Sequence, residues 1–294
     1  MRPPDPIPPA FLPAQKTTSA SRLRLSRPQG WRPTRRRTVR LVRRTAGVMR
    51  NEKQFRIATY NIHKARGFDL RIVPERIVEV VLELNADILC LQEVINAPDG
   101  QPNLNQAQEI ERALPGYHSA FGANREYRGG TYGNLTLSRF PILTRRNHDL
   151  SRRRREPRGV FQTEVEVSPG HLVHLFNVHL GTGHMERRFQ ARKLLNPEVL
   201  TQPGLRGPRL VLGDFNEWTH GLTTRLLRDQ FQAVRLRHTP GIPRTFPGLL
   251  PFLSLDHCYY EPPLRLVDTR LWRSRKAIFA SDHLPLIADF TLAA

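Results

Sequence analysis

Cysteine is almost missing from this 294-residue chain. Cys90 and Cys258 are the only two. Each sits in an apolar run (88–91 and 255–260), so they read as small buried hydrophobes, which excludes a disulfide framework and a zinc site. Acidic residues are scarce as well, 26 against 46 Lys and Arg, for a net charge of +20. Long apolar runs are absent, and no stretch nears the roughly 18 residues that span a bilayer. Arg35, Arg36 and Arg37 hint at a twin-arginine export signal. Arg40, Arg43 and Arg44 stand where its apolar segment should follow, so export is discounted and a soluble, cytoplasmic protein is expected. The apolar fraction of 39% suffices for a substantial core in one large domain or two small ones.

The positive charge is unevenly placed. Residues 1–48 hold 12 basic residues and one acid, Asp5, which leaves +9 for the remainder. The same stretch carries Pro3, Pro4, Pro6, Pro8, Pro9 and Pro13 and then an Arg-rich run without helix or strand period. Such a composition cannot bury enough surface to fold, so 1–48 is expected to be a disordered tail, with 49–294 as the folded domain. Met49 stands just before the first patterned segment. A mis-called extension, or a basic arm that grips nucleic acid, are the other readings of the tail. The basic remainder favours an anionic partner.

From residue 55 short apolar runs alternate with helical patterns. Strands are expected at 55–61, 87–93, 131–138, 159–167, 172–179, 209–215, 255–260 and 284–292. Helices fit 74–85, with Pro74 in the first turn and Ile77, Val81 and Leu84 on one face, and also 185–196 and 222–231. Ser168-Pro169-Gly170 reads as a hairpin link. Many strands with few helices between them imply a mixed, layered α/β domain, not a βαβ repeat.

The most informative stretch is Leu210-Val211-Leu212-Gly213-Asp214-Phe215-Asn216, an apolar run that delivers two polar side chains at its end. Alternation points Asp214 and Asn216 the same way and turns Phe215 back to the core. Such a pair can hold a water, a metal or a phosphate oxygen; equally, Asp-Phe-Asn can be a turn held by local hydrogen bonds. Other expected strands finish in the same manner, with Asn61, Glu93, His179 and Asp256 at or near their ends, and Ser281-Asp282-His283 precedes the last strand. Glu93 and Asp282 with the Asn61 carboxamide make an oxygen-rich set suited to Mg²⁺ or Mn²⁺. His283 beside Asp256 is the arrangement in which a carboxylate fixes an imidazole's tautomer.

Taken together, Tyr60-Asn61, Leu91-Gln92-Glu93, Asn177-Val178-His179-Leu180, Gly213-Asp214-Phe215-Asn216, Leu255-Asp256 and Ser281-Asp282-His283 resemble the endonuclease/exonuclease/phosphatase superfamily over about residues 55–292. Its members include pancreatic deoxyribonuclease, abasic-site endonucleases, inositol-polyphosphate 5-phosphatases and neutral sphingomyelinases. Asn61-Ile62-His63-Lys64, Gly133-Asn134, Leu137-Ser138-Arg139 and Thr245-Phe246-Pro247 look most like an uncharacterised bacterial group within it. The resemblance implies a four-layer α/β sandwich of two packed mixed β-sheets flanked by helices, with the active site where strand ends meet. It also implies a metal held by Glu93 with Asn61 and Asp282, and water and phosphate handled by Asp214 and Asn216. His283 with Asp256 would stabilise developing charge, and His179 would bond a phosphate oxygen or protonate the leaving group. Arg155-Glu156-Pro157 matches a triplet that supplies a phosphate-contacting Arg in the deoxyribonuclease branch, which makes Arg155 and Arg158 candidates for a phosphate clamp.

The expected function is metal-dependent phosphoester hydrolysis by in-line water attack, with a nuclease as its leading form. A phospholipid- or inositol-phosphate-directed enzyme is the alternative, supported by the apolar segment 246–253, which would touch a membrane as a loop or else lie packed under the sheet. A non-catalytic nucleic-acid-binding module is the third reading; it should have lost one of the matched residues, and none is missing. No obligate protein partner is evident. Specificity is assigned to the loops 96–108 and 122–130, which carry no decodable pattern.

Overall fold

The computed structural model describes residues 54–100, 102–218, 221–236 and 244–292. The expectations for residues 1–48 lie outside them. The elements run β1 (Gln54–Asn61), α1 (Pro74–Leu84), β2 (Ile88–Asn96), α2 (Gln106–Ala113), β3 (His118–Tyr127) and β4 (Gly130–Ser138). Then come β5 (Ile142–Asp149), β6 (Gly159–Ser168), β7 (His171–His179), α3 (His184–Leu194), β8 (Arg209–Asp214) and α4 (Leu222–Arg228). The chain closes with β9 (Gln232–Ala233), β10 (Asp256–Tyr260), β11 (Leu264–Leu271), α5 (Arg275–Ala280) and β12 (Leu286–Leu292). They form two mixed six-stranded sheets, ordered β11-β12-β1-β2-β4-β3 and β5-β6-β7-β8-β10-β9.

Alternation along the strands builds the layers. In β1, Phe55 and Ile57 face the opposite sheet while Ala58 and Tyr60 face helices; in β8, Leu210 and Leu212 face inward and Val211 outward. The inward set, with Cys90, Val173, Leu175, Cys258 and Phe290, is the core between the sheets. The outer face of the first sheet packs on α1, α2 and α5 through Ile77, Val81, Leu84, Ile110 and Ala277. The second sheet's outer face carries Leu194 of α3 and Leu227 of α4. Both cysteines are free and buried, and burial pushes their thiols up, that of Cys90 to about 12. The sandwich expected from the sequence is therefore present.

Each sheet has one parallel pair at its centre, β1 with β2 and β7 with β8. In both, the strands' C-terminal ends lie side by side, with Asn61 opposite Gln92 and His179 opposite Asp214. β10 runs antiparallel to β8, so Asp256 pairs with Asp214 from the start of its strand, not from its end as the sequence suggests. Glu93 also departs from expectation, because β2 continues past it to Asn96. A bulge between Leu91 and Val94 gives Glu93 a φ of 60°. Strict alternation would leave Glu93 on the helix side with Leu89 and Leu91; the bulge turns it out of that phase. The segment 122–130 is likewise no loop, since β3 runs through Tyr127 and a two-residue turn leads directly into β4.

Candidate active site

The same inward positions that are apolar at one end of the sandwich become polar at the other: Asn61 in β1, Asn177 and His179 in β7, Asp214 in β8 and Asp256 in β10. All are buried. Buried polar groups are tolerated only where partners meet them, and here they meet one another. The Asn61 amide donates to Asp214 Oδ2 at 2.9 Å and to Glu93 Oε1 at 3.3 Å. His179 Nε2 lies 3.7 Å from Asp214 and 3.8 Å from Glu93. His283 Nδ1 is 2.8 Å from Asp256, and its Nε2 faces Asp214 at 3.9 Å. Asp214 is thus the focus of the cluster.

Local chemistry sets each position. The Asp214 carboxylate accepts the Asn216 backbone N–H at 2.8 Å, an Asx-type turn, and Asn216 takes a left-handed φ of 48°. The turn and the reactive pair are one feature. The Asn216 amide also reaches Asp214 Oδ2 at 3.3 Å and the Leu180 carbonyl at 3.0 Å, while Phe215 turns into the outer core. Gly213, at φ 143°, allows β8 to approach β7: a Cβ there would stand 2.0 Å from the Val178 carbonyl oxygen. The Thr245 hydroxyl accepts the backbone N–H of Asp256 at 3.2 Å and fixes the carboxylate that faces His283. Thr245 was visible in the sequence beside Phe246-Pro247, without a role.

Across the sandwich, the Asn177 amide donates to the carbonyls of Leu91 and Leu135, at 3.2 and 3.1 Å, and its oxygen accepts from Gln92 at 2.7 Å. It bridges the two sheets beside the β2 bulge and so supports Glu93. Lys64, another residue that sequence reasoning passed over, pairs with the Glu93 carboxylate.

The electrostatics divide the cluster. Burial raises the Glu93 carboxyl, while His179 and Lys64 draw it back to well below the usual range. Burial, with Arg158 nearby, holds His179 far below its ordinary value. His179 can lower Glu93 only when protonated, so with that ring neutral the lowering rests on Lys64 and is smaller. Burial lowers His283, but Asp256 and Asp214 outweigh it and hold the imidazole well above its ordinary value. Burial raises Asp214 against the pull of His283, and Asp256 adds to the rise.

These groups fit a divalent cation. Ligand atoms of Asp214, Asp256 and His283 lie within 4.8 Å of one another; with His283 protonated the ligating part of this group is the two carboxylates, and Asp256 Oδ1 is buried with no donor. A cation would relieve the burial that drives Asp214 up. Glu93 and Asn61 belong to the same cluster. Asn61 takes the His63 N–H on its oxygen at 2.9 Å and presents its nitrogen, a donor and not a metal ligand, to the carboxylates, so it would hold a cation only with its carboxamide turned to offer the oxygen. Asp282 sits to one side, half-exposed, with its Oδ1 3.3 Å from His63 Nδ1. It is joined to the cluster through Ser281, whose hydroxyl donates to the Asn61 carbonyl at 2.8 Å. Of the two arginines, Arg158 is buried beside Tyr132 and Glu93, whereas Arg155 is exposed over the Gly183 loop.

This arrangement agrees with what the chain is similar to. The family model described as "Endonuclease/Exonuclease/phosphatase family" matches residues 58–283. The Escherichia coli K12 protein YbhP, which is named as uncharacterized, is 34% identical over 255 residues, covering 81% of this chain and 96% of that protein. An endonuclease/exonuclease/phosphatase crystal structure from Beutenbergia cavernae superposes with a TM-score of 0.69 at 23% identity, over 82% of this chain and 72% of that one. A mannosyl-6-phosphatase of Bacteroides thetaiotaomicron gives 0.64 at 18% identity, over 81% and 100%. With the matched model spanning every residue of the cluster from Asn61 to His283, the chain belongs to the endonuclease/exonuclease/phosphatase family.

Proposed function

We propose that the protein is a divalent-metal-dependent phosphodiesterase that cleaves its substrate, in first place nucleic acid, by in-line attack of water. The observation that carries this reading is the position of Asp214. It is a buried carboxylate facing two histidines of opposite character and two carboxamides, at the edge where both parallel strand pairs end. Asp214 orients the water or takes its proton, and Asn216 positions water or phosphate. His283, held cationic by Asp256, stabilises charge on the phosphoryl oxygen. The neutral His179 serves as a hydrogen-bonding partner of a phosphate oxygen or the leaving group. A Mg²⁺ or Mn²⁺ ion held by Glu93, with Asn61 and Asp282, would offset charge on the phosphoryl oxygens. Arg158, and Arg155 at the rim, would clamp phosphate. A polyanionic substrate suits the net charge of +20, and a cytoplasmic location goes with this reading.

A panel of single- and double-stranded DNA, abasic DNA, RNA, inositol phosphates and phospholipids, run with and without EDTA, tests it. Turnover on a nucleic acid should vanish with EDTA and fall about 10²- to 10³-fold or more in Asp214→Ala and His283→Ala. Unchanged turnover in those variants would sink the mechanism and favour a binding module.

A second reading, a phospholipid phosphodiesterase, is favoured by one observation. In segment 246–253, Phe246 packs on His283 with ring centroids 5.0 Å apart, yet Leu249, Leu250 and Phe252 are exposed, Leu250 by 73%. Peripheral membrane contact through this loop would be seen as liposome co-sedimentation that Leu250→Ser with Phe252→Ser abolishes.

A further inference from the structure

Outward from Glu93 runs a file of alternating cations and aromatic rings that the proposed chemistry does not use. Lys64 Nζ, already on Glu93, lies 5.6 Å from the Tyr132 ring centroid. The Arg125 guanidinium lies 4.8 Å from the Tyr132 ring and 4.7 Å from that of Tyr127, the two rings being 6.0 Å apart, and Arg128 lies 5.4 Å from Tyr127. Local structure explains the order. Arg125 is the cross-strand partner of Tyr132, and Tyr127 pairs with Gly130 around the two-residue turn Arg128-Gly129. Residues 125 and 127 share one face of β3, and Glu126 faces the other way. Both turn residues have positive φ, 49° for Arg128 and 78° for Gly129. That turn ordinarily takes Asn or Gly first, so an arginine sits at its tip against backbone preference.

Beside the file stands Arg158, 7% exposed. Its Nη2 pairs with Glu156 at 2.9 Å, and the same carboxylate bonds Arg125 at 3.0 Å. Arg158 Nε and Nη1 are buried without a well-formed hydrogen bond, and the Tyr132 hydroxyl is the polar group beside the guanidinium. Buried guanidinium N–H groups without acceptors are costly, and a bound anion would satisfy them. One carboxylate therefore bridges two arginines, and the buried donors of Arg158 are left for an acceptor.

We propose that Lys64, Arg125 and Arg128, spaced by Tyr132 and Tyr127 and adjoining the Arg158 clamp, form a track that binds the flanking phosphates of a substrate carrying several of them. The reacting phosphate lies at Glu93 and Asp214, an assumption that rests on the phosphodiesterase reading. The rings hold the guanidinium planes in place by cation–π contact and leave their edges free to fork onto phosphate. Glu156 occupies part of that fork until phosphate displaces it. A nucleic-acid strand and a polyphosphorylated head group share this chemistry.

The test uses the full chain in EDTA, where binding is read without turnover, by fluorescence anisotropy of a labelled hexathymidylate at several salt concentrations. The basic residues 1–48 contribute equally to every variant. Arg125→Gln with Arg128→Gln should weaken binding at least severalfold and reduce the salt slope by about 1.4, two phosphate contacts' worth on a single strand. Glu156→Gln should tighten binding, a gain that misfolding cannot imitate. Unchanged affinity and slope in both variants would overturn the track. Inositol hexakisphosphate, used as competitor, assigns its source. Displacement that weakens in the double variant supports a reader of phosphate density, and failure to displace supports a strand. Wild-type hydrolysis of bis-p-nitrophenyl phosphate with Mg²⁺ is measured separately. Its absence, with the expected binding pattern, would sink the phosphodiesterase reading and leave the track; its presence with unaltered binding would sink the track alone.

Discussion

At the residue scale the chain uses burial to give similar side chains different work. His179 and His283 both face Asp214, but His283 has the Asp256 carboxylate at 2.8 Å and His179 has no hydrogen-bond partner on either ring nitrogen. One is kept cationic and the other neutral. If Asp256 acts only through His283, the losses should not add. Asp256→Asn and His283→Ala each cost about 10²-fold or more in kcat, and the double variant is no slower than His283→Ala, as a double-mutant cycle on any hydrolysed substrate would show. A third histidine, His257, gives a stability test. Burial lowers it from 6.5 to about 4, and its Nε2 is buried without a partner. The unfolded chain therefore takes the proton first as pH falls. Its contribution is whole above about pH 6.5 and is lost on descending towards pH 4, about 3 kcal/mol. Thermal melts of His257→Phe should show a shallower acid decline than wild type across that window; an identical decline would refute the assignment.

At the scale of elements, legibility followed position in the sheets. The central strands β1, β2, β7 and β8 carry continuous apolar runs because both faces are covered, and their sequences announce them. The strands that escaped sequence reading, β3, β5, β9 and β11, lie at sheet edges. β5 places five exposed residues in succession, Leu143 to Asn147, so no period of two survives. The helices α2 and α5 are short, eight and six residues, too brief for a clear 3.6-residue pattern. The β2 bulge was equally hidden, though it decides where Glu93 points. Its support is the Asn177 bridge. Asn177→Leu would leave the Leu91 and Leu135 carbonyls without their donor, costing about 2–4 kcal/mol, and would loosen Glu93. The expected result is a lowered melting temperature together with reduced turnover; a wild-type melt would show that the bridge is dispensable.

For the whole molecule, the concentration of negative side chains at one end of the sandwich should couple metal binding to folding. An ion that binds only the folded chain stabilises it by about 2.7 kcal/mol at a hundredfold excess over Kd. For a domain of this size that corresponds to a rise of roughly 5–10 °C in Tm. Scans with EDTA and with excess Mg²⁺ or Mn²⁺ should differ by that amount, and the difference should shrink in Glu93→Gln. Equal melting temperatures would count against a metal in this cluster. Among the described residues no helix is long and apolar enough to cross a membrane. On the nucleic-acid reading proposed above, the basic surplus would set how steeply binding falls with salt; net charge has no part in the fold.

The sequence by itself determined which positions are polar where the pattern calls for apolar. Asn61, Asn177, His179, Asp214 and Asp256 are written at inward-facing sites of strands whose other inward residues are mostly Phe, Ile, Val, Leu, Tyr and Cys, and alternation makes that readable without a structure. It could not say which strands are neighbours, because pairing joins residues from distant segments, Ile57 with Ile88, His179 with Asp214 and Phe55 with Phe290, and no local pattern marks those partners. Tertiary structure decided that the two parallel pairs end at one edge, that the antiparallel β10 brings Asp256 to Asp214 from its first residue, and that a bulge rotates Glu93 into the group. It also decided the charge states, since burial and opposing neighbours exist only once the sheets have closed on each other.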